Sequence, residues 1–99
     1  MNIGTHDSHD EKTFIIKDEM ASNAISDLEI MINDFIKNDD RNVVIDLENV
    51  FKIDSMSLAT LIRIKNKLTD NNRKLILINP SDGVMRVLEL AGLEAFLLG

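Results

Sequence analysis

Short apolar runs alternate with amphipathic stretches along the whole chain. Thr13 to Ile16, TFII, is β-branched and aromatic and is bounded by the charged KDE, a pattern that predicts a short strand. From Ala21 the period changes. Ala21, Ala24, Ile25, Leu28, Met31, Ile32, Phe35 and Ile36 recur at helical spacing and predict one apolar helix stripe that ends near NDDRN. Val43 to Leu47, VVIDL, has the composition of a strand buried on both faces. After ENVFKID, a second helix is predicted to start close to Ser55, with Leu58, Leu61, Ile64 and Leu68 inward and Arg63, Asn66 and Lys67 in solvent, ending near Asn71 or Asn72. Lys74 to Pro80, KLILINP, is a further buried-strand pattern that the proline must end. Ser81 or Asp82 can cap a last helix whose Val84, Val87, Leu88 and Ala91 face inward, and Gly92 is placed to stop it. LEAFLL closes the chain.

The order strand, helix, strand, helix, strand, helix with short connections implies an α/β domain: a mostly parallel sheet, helices packed on it, and right-handed crossovers. Residues 1–12 hold two His, Gly4 and charged groups but only Met1 and Ile3 as sizeable apolar side chains, so they read as a flexible tail before one domain spanning 13–99. No internal repeat or low-complexity tract is present. In open sheets of this kind function sits outside the carboxyl ends of the strands, which points to Ile53 to Leu58.

Composition narrows the chemistry. The chain has 99 residues and no cysteine, which removes disulfides, thiolate nucleophiles and zinc–thiolate clusters. The net charge of −6 and the presence of four Phe with no Trp or Tyr argue against nucleic acid, which needs a clustered basic surface or aromatic stacking platforms. No apolar run reaches the roughly 18 residues of a membrane span, and the polar, acidic start is unlike a signal peptide, so a cytoplasmic protein is expected.

The four Gly, at 4, 83, 92 and 99, form neither GxGxxG nor GxxxxGK[ST], which leaves no phosphate-cradling loop and no expected cofactor. His6 and His9 have a metal-compatible spacing, but Gly4 and the polar flanks oppose the helix that would bring them together. Both lie in the expected tail, where no catalytic base could be held against a nucleophile. A small enzyme built on the acidic turn is the weakest reading.

What remains is Asp54-Ser55-Met56-Ser57-Leu58 at a strand-to-helix turn. The stretch VVIDLENVFKIDSMSLATLIRIKNKL, followed by KLILINPSDGVMRVLELAGLEAF, resembles the STAS domain of bacterial anti-sigma factor antagonists. That family carries a turn of the form hydrophobic-Asp-Ser-Ser/Thr-Gly-Leu, a strand ending near Asn-Pro and a helix ending Leu-x-x-x-Gly-Leu. Ile53, Asp54, Ser55, Leu58, Asn79, Pro80, Leu88, Gly92 and Leu93 match it. The resemblance covers Thr13 to Leu97 and implies a mostly parallel or mixed sheet of about four strands carrying helices. It also implies a partner switch. The unmodified protein binds an anti-sigma factor with serine kinase activity, phosphorylation of Ser55 ends that binding, and a PP2C-type phosphatase restores it.

Local physics accommodates a phosphoryl group there, because helix N-termini favour anions. Asp54 or Ser55 acting only as a helix cap is the plainer alternative. Ser57, a second hydroxyl in the same turn, is the alternative acceptor, with an ordinary first-turn serine as its plainer reading. Asp54, Ser55, Met56, Ser57 and Met85 are candidate partner contacts, with Leu58 assigned to the core. Asp46 either pairs with a basic group or points from its strand end toward the site. Lys65, Lys67, Arg73 and Arg86 read as solvated.

Two departures from the family pattern stand out. Met56-Ser57 replaces Ser/Thr-Gly, and the opening strand that precedes TFII in the family is expected to be shortened or missing, which would leave Thr13 to Ile16 on a sheet edge. The first departure motivates a second function, a permanent docking subunit of a transporter or other signalling complex with no phosphoswitch. The amphipathic helices fit a monomer, and the expected exposed sheet edge offers a route to a weak dimer.

Overall fold

The computed structural model describes residues 2–17 and 22–98. Elements follow in the order β1 (Ile3–Asp7), β2 (Glu11–Ile16), α1 (Ser22–Asn38), β3 (Asn42–Asp46), α2 (Ser55–Asp70), β4 (Leu75–Ile78), α3 (Asp82–Leu90) and α4 (Glu94–Leu98). The strands form one mixed sheet in the order β1-β2-β3-β4, antiparallel between β1 and β2 and parallel beyond. This is the α/β sheet expected from the alternating pattern.

The N-terminal segment departs from expectation. Residues 3–7 form a strand, and β2 begins at Glu11, two residues before TFII. Register runs from Ile3 opposite Ile16 to Asp7 opposite Lys12, and Ser8 closes the turn by donating its N–H to the Glu11 carbonyl at 2.9 Å. The tail reading failed because an edge strand needs main-chain partners and only one covered side, so polar residues suffice. Here charge fastens it: Asp7 pairs with Arg41 at 3.0 Å and with Lys12 at 3.7 Å. The opening strand is therefore present, and TFII is interior to the sheet.

One sheet face carries the core. Phe14 and Ile16 of β2, Val43 and Ile45 of β3, and Leu75 and Leu77 of β4 alternate onto it, and all four helices add side chains, among them Leu28, Leu61, Leu88 and Leu97. Val44 is also buried but points the opposite way, between half-buried Thr13 and Ile76 in register with it.

Among the described side chains, the helical stripes hold with four exceptions. Met31 and Ala91 are exposed, and Leu58 and Val87 are half-buried. Ala21 and the side chain of Ala24 lie outside what the structure describes. Gly92 does end α3, at φ +70, where a left-handed conformation excludes most side chains.

Arg73, read as solvated, is 8% exposed. Its guanidinium donates to the carbonyls of Ile36 at 2.6 Å, Asp39 at 2.6 Å and Arg41 at 3.2 Å. Carbonyls at a helix C-terminus lack intrahelical partners, and this cation from a distant part of the chain satisfies that of Ile36 in the last turn of α1 and two in the segment that follows it. Such a contact over more than thirty residues leaves no local sequence signal.

Candidate functional site

The site lies beyond the carboxyl ends of β3 and β4, where Asp46 and Ile78 stand in register. Among the described residues, Asp46 pairs with no basic side chain. Its Oδ1 accepts the Glu48 N–H at 3.0 Å and the Asn79 amide at 3.2 Å, fastening the exits of the two strands to each other. Asn79 sits at φ 55, a left-handed conformation that Asn tolerates better than most side chains.

From there the chain crosses to α2 through Leu47 to Ile53, held at several points. Leu47, Val50 and Ile53 are buried. Val50 donates its N–H to the Leu47 carbonyl at 2.9 Å, and its own carbonyl accepts the Ser81 hydroxyl at 2.8 Å. Ser81, rather than Asp82, caps α3, accepting the Val84 N–H at 3.3 Å. Gly83 lies flat against the same loop, and a Cβ there would stand 2.3 Å from the Phe51 carbonyl oxygen.

Asp54 is the N-cap of α2. Its backbone is extended, and its Oδ1 accepts the Ser57 N–H at 2.7 Å. Ser55 is the first helical residue and is exposed, and Met56 follows at 55% exposure. Ser57 is 0% exposed, so of the two hydroxyls only that of Ser55 faces solvent. Replacing glycine by serine at 57 therefore adds a side chain to the interior, and the surface change in this turn is Met56. Leu58 packs against the core, as its spacing predicts.

Further down α2 a polar chain stiffens the first turn. The Thr60 hydroxyl donates to the Met56 carbonyl at 3.0 Å and accepts from Arg63 at 2.9 Å. Arg63 makes a two-pronged contact with Glu29 of α1 at 2.9 and 3.1 Å. That hydrogen bonding holds the Glu29 carboxyl below its ordinary value, against the opposing effect of its partial desolvation.

Met85 stands apart from this group. It lines a shallow groove on α3 with Asp82, Arg86, Glu89 and Leu90, to which residues 54–57 do not contribute. The sequence reading missed Phe51, which is 65% exposed between the buried Val50 and Ile53. The available signal was the in-out-out-in pattern of VFKI within a polar loop. His9 is exposed and paired with Asp10 at 2.9 Å, in the β1–β2 turn at the opposite end of the sheet. Among the described residues, no group of three or more His, Asp or Glu is arranged to hold a metal, and no helix is long and apolar enough to cross a membrane.

Comparison with known proteins agrees with this architecture. The anti-sigma-B factor antagonist of Staphylococcus aureus is 25% identical over 96 residues, covering 95% of this chain and 89% of its own. Among solved structures, TM1081 of Thermotoga maritima superposes with a TM-score of 0.89 at 20% identity, covering 97% of this chain and 83% of its own. The anti-sigma factor antagonist SpoIIAA in its unphosphorylated form gives 0.84 at 17% identity, with 98% and 86% coverage. The Bacillus cell fate determinant SpoIIAA in its phosphorylated form gives 0.77 at 16%, with 98% and 89% coverage. The STAS domain profile matches residues 2–98, essentially the whole mixed sheet with its helices and the capped turn at Asp54, and the chain belongs to the STAS domain family.

Proposed function

We propose that this chain is an anti-sigma factor antagonist of the partner-switching kind, with Ser55 as its phosphoacceptor. The observation that carries the reading is the exposed Ser55 hydroxyl at the first position of α2, directly after the Asp54 cap, at the carboxyl edge of the sheet. The named relatives add the partner class, an anti-sigma factor. In this reading that partner is a cytoplasmic serine kinase, and a PP2C-type phosphatase reverses the modification.

The electrostatics favour a switch that leaves the fold intact. Backbone N–H groups and the helix dipole at the start of α2 accommodate a phosphoryl group. Its charge of about −2 beside Asp54 then falls on whatever face docks there, and a surface shaped for a neutral hydroxyl loses affinity through repulsion and desolvation.

Peptide mass spectrometry across Ser55, on protein isolated from its native cells under growth and stress, tests the reading. Ser55 phosphate whose occupancy changes with condition supports the switch. An unmodified Ser55 in a chain that stays bound to one stable complex selects instead a constitutive docking subunit, the alternative motivated by Met56-Ser57.

A further inference from the structure

We infer that the groove along the outer edge of β4 binds an extended acidic segment of a partner protein, which adds to the sheet as a fifth strand. None of residues 54–57 lines this groove, so the inference stands apart from the Ser55 switch.

Strand order places β4 at one edge of the sheet, paired with β3 alone. The carbonyls of Lys74 and Ile78 accept the N–H groups of Val43 and Leu47, both at 3.0 Å, so the main-chain groups of residues 74, 76 and 78 face inward. Alternation along the strand directs the N–H and carbonyl of Leu75 and Leu77 outward, and among the described residues these four groups have no hydrogen-bond partner. The two side chains are buried, so this edge presents backbone. A row of unpaired main-chain groups is the template that strand addition uses. Space for a strand is present: a groove of about 650 Å³ is lined by Leu75, Ile76 and Leu77, with Leu97 and Leu98 of α4 and Lys65 of α2 also on its walls.

Charge selects the occupant. Lys65, Arg73 and Lys74 line the groove and no acidic residue does, in a chain whose net charge is −6. In each of three other surface grooves, acids outnumber Lys and Arg. Arg73 is committed to its carbonyls, which leaves the two lysines for a ligand. The Lys65 ammonium is steadied 5.3 Å from the Phe96 ring centroid, and among the described residues neither lysine has a carboxylate partner. Acidic side chains of an incoming strand meet these cations, and its apolar ones meet Leu97 and Leu98. A second copy docked through the same groove would bring like charges together, the means by which edge lysines discourage self-pairing.

The probe is an eight-residue peptide that alternates Glu with Val, titrated into the full chain while amide resonances and hydrogen exchange are followed. In the free chain the Leu75 and Leu77 amides are expected to exchange faster than those of Ile76 and Ile78, and the peptide is expected to slow them and shift their resonances. The same peptide with Lys in place of Glu should bind about tenfold more weakly or worse, since two attractive contacts become repulsive. Lys74→Glu, at an exposed position, should weaken the Glu peptide at an unchanged melting temperature. No protection of Leu75 and Leu77 by the Glu peptide, or equal protection by the Lys peptide, overturns the inference. Protection of both amides in the free chain, with sedimentation as a dimer, overturns it in favour of a second copy.

Discussion

The Asp54 carboxylate accepts the Ser57 N–H at 2.7 Å, so the residue before the candidate phosphoacceptor holds in place the helix that presents it. Asp54→Ala should lower stability by about 1 kcal/mol, the usual cost of a lost N-cap, and Asp54→Asn should retain most of it. Urea denaturation midpoints distinguish the two. Equal midpoints for Ala and wild type would mean the cap contributes nothing to the turn.

Ser57 is fully buried two residues beyond Ser55, within the same first turn. A kinase must surround the hydroxyl it modifies, which burial prevents without local unfolding of α2. Under the proposed switch, Ser55→Ala is therefore expected to abolish phosphate incorporation by the proposed kinase partner, with no residual labelling on Ser57. Labelling of Ser57 in that variant would show that the first turn opens.

Gly83 meets the Phe51 carbonyl so closely that a Cβ would lie 2.3 Å from its oxygen. Backbone must move to admit even alanine. Gly83→Ala should cost about 1–3 kcal/mol, in the range of overpacked sites, and shift the amide resonances of residues 50–54. A thermal melt and an amide correlation spectrum together read both effects, and unchanged spectra would refute the close packing of α3 on this loop.

Arg73 ties the end of α1 to the start of β4 through the three carbonyls of Ile36, Asp39 and Arg41, with its guanidinium 5.9 Å from the Phe35 ring centroid. Removing it strands buried carbonyls. Arg73→Ala should cost about 2–4 kcal/mol, and Arg73→Lys should recover only part, because an ammonium cannot reproduce the planar fork. Chemical denaturation checks the order wild type, Lys, Ala.

Asp39 gives the chain an acid-sensitive contact. Side-chain hydrogen bonds from Arg41, followed by the Arg41 backbone N–H, hold its carboxyl well below the ordinary value of 3.8. A carboxylate depressed in the folded state contributes stability that is present above its unfolded value and is lost as pH falls toward the folded one. Stability should thus decline below about pH 4, and Asp39→Asn should flatten that decline between about pH 4 and 2. An identical acid titration of stability in wild type and variant would remove Asp39 as a source.

Much of this architecture is legible in local pattern. The strands around Phe14, Val43 and Leu75, the inward faces of Leu61, Ile64 and Leu68, the Ser81 cap and the Gly92 stop each follow from side-chain period or from one residue's backbone preference. Such signals are local because helix and strand periods and caps act over a few residues. The exposed Ser55 at a capped helix start was legible for the same reason.

Other features became definite only on folding. Polar Ile3–Asp7 becomes a strand because β2 supplies main-chain partners and Arg41 supplies the charge for Asp7. Arg73 is buried because its carbonyl partners arrive from more than thirty residues away, and Ser57 is turned inward while Met56 is left outside by the rotation of α2 against the sheet. Phe51 projects because Ser81 and Gly83 of another element pin the loop beneath it. Local propensity and period, then, determined the elements and the candidate acceptor, whereas contacts between segments distant in sequence decided which neighbouring side chains a partner can reach.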